Sequence, residues 1–182
     1  MSNTSDTTPS TGSDAVAAGR WILDREGTTI ALRHKGMWGL VTVKGVFNDV
    51  SGQGEVGADG AVRGSVTLAA ASLDTGNAKR DEHLRSSDFF DTDRFPSLDF
   101  TVDSVVTDAD GRADVSGELT VMGNARPLAF SARTTESTPT AVTLSAEVDI
   151  DRADYGLTWN KGGVIKGLAT VALTVRFVHQ PG

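Results

Sequence analysis

The sequence predicts an all-β protein, an eight-stranded antiparallel barrel with one short helix covering an end. Three observations carry that expectation. The 182 residues include 20 Gly, 19 Val and 21 Thr, a composition suited to pleated, half-buried surfaces and their turns. Apolar residues alternate with polar ones along several segments, the period of a strand with one wet face. Turn dipeptides punctuate those segments: Asp59-Gly60, Asp110-Gly111 and Gly123-Asn124. The length fits one domain.

Residues 1–19 read as a disordered polar tail, because residues 1–13 (MSNTSDTTPSTGS) show no hydrophobic periodicity that would offset the entropy of ordering. The barrel is expected over 20–182. Its first strands are Thr28 to His34, Trp38 to Val50 and Val62 to Ser72. One helix is predicted from Asn77, a suitable N-cap, to Phe90, with Leu84 and Arg80 on one face and Ser87 capping a second short turn. After Pro96 come strands around Leu98, Phe100 and Val102, then Ala113 to Val121 and Arg126 to Arg133. The clearest strand is Ala141 to Asp151, where Val142, Leu144, Ala146, Val148 and Ile150 alternate with polar residues. Ala169 to Phe177 completes the set.

Eight long strands are relieved of their edges most completely by closing into a barrel. A two-sheet sandwich is the alternative, disfavoured by strands of ten or more residues. An eight-stranded barrel is either filled or holds one small ligand. The inward candidates Val62, Val66, Ala70, Val115, Gly117, Leu119, Ala146, Val148, Val171 and Val175 are mostly small, and aromatics make up only 6% of the chain. That favours a cavity, and an apolar one suits an alkyl or isoprenoid chain.

The formal charge is −7, with 24 acidic against 17 basic residues, and no basic block offers a footprint for phosphate backbones. No nucleic acid partner is expected. There is no Cys, which excludes disulfides and thiolate chemistry. No apolar run approaches the ~20 residues of a spanning helix. The first residues lack a basic, apolar secretory leader, so a cytoplasmic location is expected unless a leader was removed.

The residues also carry a family resemblance. Asp74-Thr75-Gly76, Arg80-Asp81-Glu82-His83-Leu84-Arg85-Ser86, Asp88-Phe89-Phe90-Asp91 and Phe95-Pro96 follow one another in order. Later come Ser116-Gly117-Glu118-Leu119-Thr120, Gly123, Arg126-Pro127-Leu128 and Ile150-Asp151-Arg152-Ala153-Asp154-Tyr155-Gly156-Leu157. Ile30 through Arg33-His34 and Gly45-Val46-Phe47 fit the same pattern. Together they closely resemble the YceI-like family over nearly all of residues 20–179. The resemblance implies a lipocalin-like barrel that binds a polyisoprenoid or other long amphiphilic lipid, with no established catalysis. It also suggests a homodimer, although no residue marks the surface. Many members carry a secretion leader; the polar tail here favours a cytosolic carrier or storage role.

Candidate ligand contacts follow. The walls would supply Ile30, Leu32, Phe47, Val66 and Leu68, with Phe100, Leu119 and Phe130 from later strands. At the polar end stand His34, Arg80 and His83, where a cation and an imidazole would meet a polar or phosphorylated head group; helix capping and salt bridging on a lid are the plainer reading. Trp38, Phe89, Phe90, Phe95 and Trp159 would form rim or lid contacts, with Leu84 of the helix beside them, and the Gly-rich run Asn160 to Gly163 with Lys166-Gly167 would close over a mouth.

No cofactor and no metal are expected. The three His, at 34, 83 and 179, lack ligand spacing. Gly52-Gln53-Gly54-Glu55-Val56-Gly57 fits G-x-G-x-x-G but has no following helix, so it reads as a flexible hairpin and not a dinucleotide site. The expected protein is not an enzyme. One alternative is an enzyme acting on a small amphiphile, with His34 or His83 as general base and Asp81 orienting it. Another is a stress-responsive structural protein with a filled barrel.

Overall fold

The computed structural model describes residues 16–36, 40–160, 165 and 167–182. Eleven strands and one helix follow in order: β1 Gly19–Leu23, β2 Thr29–Gly36, β3 Val41–Phe47, β4 Val50–Val56, β5 Val62–Ala69, β6 Leu73–Asp74, α1 Ala78–Arg85, β7 Ser97–Thr107, β8 Arg112–Val121, β9 Asn124–Ser137, β10 Ala141–Ile150 and β11 Ala169–Gln180. Every pairing is antiparallel. The ring runs β1-β4-β5-β7-β8-β9-β10-β11 and is closed by β11 against β1, which excludes the sandwich. β11 is long enough to pair twice: its residues 177–180 lie against β1 and its residues 170–174 against β2. β1 with β2, and β3 with β4, are thus broken halves of single barrel strands, so eight barrel strands comprise ten segments, and the two-residue β6 beside β3 is the eleventh.

Three expectations need correction. Gly52 to Val56 is not a hairpin loop: it lies within β4, paired with both β1 and β5. Its glycines let two backbones come close, since a Cβ on Gly64 would lie 2.6 Å from the Gln53 carbonyl oxygen and 3.1 Å from Gly54 Cα. The hairpin after β8 turns on Met122-Gly123, both at positive φ, so Asn124 already belongs to β9. The helix is shorter than Asn77 to Phe90. Asn77 caps it as expected, its side chain accepting from Arg80 N at 3.0 Å, but Ser86 ends it: the Ser86 N–H and hydroxyl both donate to the His83 carbonyl. Ser86, not Ser87, also supports the following turn, through its carbonyl to Phe89 N.

Most of the expected tail, residues 1–15, lies outside the described residues. Of the rest, Ala17 N donates to the Pro139 carbonyl, and Gly19 opens β1. The buried core includes Leu23, Ile30, Phe47, Leu73, Phe90 and Val121, gathered toward the end where α1 sits.

Candidate functional site

The barrel is hollow. A cavity of about 1130 Å³ runs between its two ends, larger than the ~300–1,000 Å³ of a site for a drug-sized ligand. The period-two alternation produces it: on β8, Val115, Leu119 and Val121 face inward while Asp114, Ser116 and Glu118 face solvent. The expected scarcity of aromatics takes a specific form, since every described aromatic except Phe95 lines the cavity. Midway, Phe100 and Phe130 lie with ring centroids 5.8 Å apart. The bare Gly117 makes room for them, because a Cβ there would drive into the Thr101 carbonyl and lie 2.8 Å from Phe100 Cζ.

One mouth is bordered by α1, the 3-10 turn Arg152–Tyr155 and the adjoining ends of β2, β3, β10 and β11. Here Arg80 donates from Nε to Thr75 Oγ1 at 2.8 Å and from a terminal nitrogen to the Thr75 carbonyl at 2.9 Å. The buried Asp81 accepts from the same Thr75 through its N–H and hydroxyl, so Arg80 reaches that carboxylate only at second hand. Arg152 donates to the Trp159 carbonyl at 2.8 Å; burial holds its pKa below the usual guanidinium range. Among the described residues neither arginine forms a direct ion pair.

Among the described residues His34 Nε2 is buried there without a hydrogen-bond partner. Burial pushes the His34 pKa below its ordinary 6.5, helped by the nearby Arg152 charge and opposed by the Lys35 and Gly167 backbone. An edge-to-face cage of His83, Phe89 and Trp159, with centroids 4.7–5.1 Å apart, walls the same mouth. His83 Nε2 sits 2.8 Å from Asp88.

The opposite mouth is made of tight hairpins after β4, β7 and β9. Glu55, Arg63 and Asp108 line it, with Glu55 directly opposite Arg63 in the ladder. Charges outside this end are networked: Arg176 bonds both Asp24 at 2.6 Å and Glu136 at 2.9 Å. Those bonds lower the Glu136 pKa and raise that of Arg176.

Every ligand-contact residue named from the sequence lines this cavity except Phe95, which packs outside it with the Arg94 guanidinium over its ring, and Trp38, which lies outside the described residues, as do residues 161–164 and 166 of the Gly-rich run. Asn160 holds the base of that run through paired bonds to Ile165, both 2.9 Å. Ala70, Gly117 and Ala146 do not line the cavity: Ala70 is buried in the core beside the 3-10 turn Ala70–Ser72, and Gly117 has no side chain to offer. Nor is His83 oriented by Asp81, since Thr75 occupies that carboxylate and Asp88 takes the imidazole. Sequence reasoning missed Trp21, 3% exposed and lining the cavity, because β1 is too short to show its period. It also missed Arg152, quoted only inside a motif, because nothing local tells which way a residue on a 3-10 turn points.

Compared with known proteins, residues 21–178 match the YceI-like domain. A UPF0312 protein of Shewanella baltica (strain OS185) is 36% identical over 121 residues, 65% of this chain and 63% of that protein. One of Vibrio vulnificus (strain YJ016) is 33% identical over 124 residues, 65% and 64% of the two. The matched stretch thus spans just under two thirds of these relatives. Among solved structures, Burkholderia cenocepacia BcnA superposes with a TM-score of 0.75 at 18% identity, over 85% of this chain and 98% of its own. A polyisoprenoid binding domain from Saccharophagus degradans, implicated in plant cell wall breakdown, gives 0.72 at 18% identity over 88% and 98%. These two share the fold.

Proposed function

Because the chain belongs to the YceI-like family, we propose that its barrel binds one long-chain amphiphilic lipid, a polyisoprenoid or similar, and carries or stores it without transforming it. The observation that carries this reading is the continuous apolar cavity of about 1130 Å³. A tail laid along it leaves water at about 0.8 kcal/mol per CH₂, which rewards chain length more than any particular contact. The similarity in fold to a polyisoprenoid binding domain supports the same reading.

The head group belongs at the mouth covered by α1. A half-buried cation without a carboxylate partner is poorly solvated, and Arg152 and the Thr75-bound Arg80, both half-buried, line that mouth; an anionic or strongly polar head would supply a partner, and one for His34 Nε2 too. Catalysis is disfavoured because the His83–Asp81 pair that an acid–base reading needs is not formed.

The test is organic extraction of protein purified natively, followed by mass spectrometry. A long-chain lipid near one equivalent per chain is expected. Absence of any lipid, together with no rise in Tm on adding isoprenoids of several lengths, overturns the reading.

A further inference from the structure

Residues 33–46 and 155–169, whose described parts border the mouth covered by α1, contain no Asp or Glu in a chain of net charge −7. The outward positions of β2 and β3 are exposed Arg33, Lys35 and Lys44. In the ladder Arg33 stands directly opposite Lys44, a like-charge pairing that destabilises a sheet. Glu147 answers Arg33 at 3.6 Å; among the described residues no carboxylate answers Lys35 or Lys44.

Beyond these cations the rim is apolar and uncovered: Leu40 is 83% exposed, Leu168 51% and Val41 41%. The register explains why they meet. Gly36 pairs with Val41, and Thr170 with Arg33, so Leu40 and Leu168 sit at the adjoining ends of three neighbouring strands.

Exposed apolar residues at a rim, backed by unanswered lysines, fit the interface of an anionic membrane, where apolar side chains enter the headgroup boundary and lysines meet the surface potential. We propose that this rim of β2, β3 and β11 docks the barrel onto an anionic lipid bilayer, bringing the mouth to the surface from which a long-chain lipid is drawn or to which it is returned. The proposal rests on the lipid-binding reading of the cavity. Its occupant follows from charge complementarity and from continuity with the mouth, since a tail too apolar for water must pass directly between bilayer and cavity.

Flotation of the full chain with vesicles tests it, comparing phosphatidylcholine alone with phosphatidylcholine containing about one-third phosphatidylglycerol. Flotation is expected only with the anionic vesicles, falling more than about ten-fold in ~0.5 M salt. Each lysine is worth about five-fold, so K35E/K44E should lose more than about ten-fold. L40D/L168D should lose flotation as well, with Tm and extracted lipid unchanged in both variants because all four side chains are exposed or at the rim. Equal flotation with both vesicles, no flotation, or variants that float like the wild type would overturn the proposal. So would a rim variant that converts a dimer to monomer while floating normally, which assigns the patch to a second copy. Lipid content read on the same samples separates the two claims: a wild type that retains lipid but does not float overturns the docking surface alone, and an empty wild-type barrel overturns the cavity reading.

Discussion

At the hairpin end the cavity is lined by Glu55, Asp108 and Arg63, whereas at the end covered by α1 the lining cations Arg80 and Arg152 meet no lining carboxylate. The backbones differ in the same way. Gly60 and Gly111 at φ +84° and +82° fix two of the hairpin turns, and Ala17 and His179 tie the segments nearest the chain ends to the third, through Pro139 and Thr140. The other mouth, bordered by α1 and the 3-10 turn Arg152–Tyr155, holds His34 Nε2, which among the described residues has no hydrogen-bond partner, and the cage of His83, Phe89 and Trp159. The lining charges at one end are of both signs; at the other they are cations alone. Under the proposed lipid-binding reading, the hairpin end would hold the barrel together and the end covered by α1 would take the head group, in keeping with function concentrating on connections held by a scaffold.

The largest effect expected from this contrast is on affinity. Replacing Arg80 and Arg152 together by Met should weaken binding of a prenyl phosphate by about 10- to 100-fold, since hydrogen bonds to charged groups contribute about 1.5–3 kcal/mol. Arg63→Met should change it by less than about three-fold, because its position faces Glu55. Competition with a fluorescent lipid measures both, and equal losses would erase the distinction between the mouths.

A smaller effect tests the waist that joins them. Gly117→Ala forces a Cβ against the Thr101 carbonyl and the Phe100 ring, so it should cost about 2 kcal/mol through overpacking, read as a lower urea midpoint. Unchanged stability would mean that Phe100 yields freely and that the close approach at Gly117 does not constrain the barrel.

The smallest effect concerns pH. The folded-state pKa of His34 lies below 6.5, so as pH falls the unfolded chain takes up its proton first. The stabilisation from neutral His34 is therefore complete above about pH 6.5 and is lost as pH falls from there toward the depressed folded value. Urea midpoints of wild type and His34→Gln should converge over that window, and parallel curves would contradict it. An anionic lipid at the mouth should raise the His34 pKa, visible as a shifted imidazole titration by NMR.

Much of this was legible in the sequence. Period-two alternation revealed the long strands, Asn77 announced the helix start, and small inward residues pointed to a hollow interior. Where reading failed, the missing fact was a partner. Gly52 and Gly54 look like turn residues until β1 and β5 are seen beside them, and Met122-Gly123 is a turn only because both residues take positive φ. Asp81 seemed available to His83 until Thr75 was found to occupy it.

The sequence by itself determined which residues share a face of each strand, because alternation is a local property of extended backbone, and with it the apolar, mostly aliphatic lining of the cavity. Only the tertiary structure decided that β11 would close the ring against β1 across more than 150 residues of chain. It alone brought Arg80 from a helix, Arg152 from a 3-10 turn and His34 from a strand to one mouth. Charges that far apart in sequence have no local rule to align them; the register of a closed barrel sets their distance.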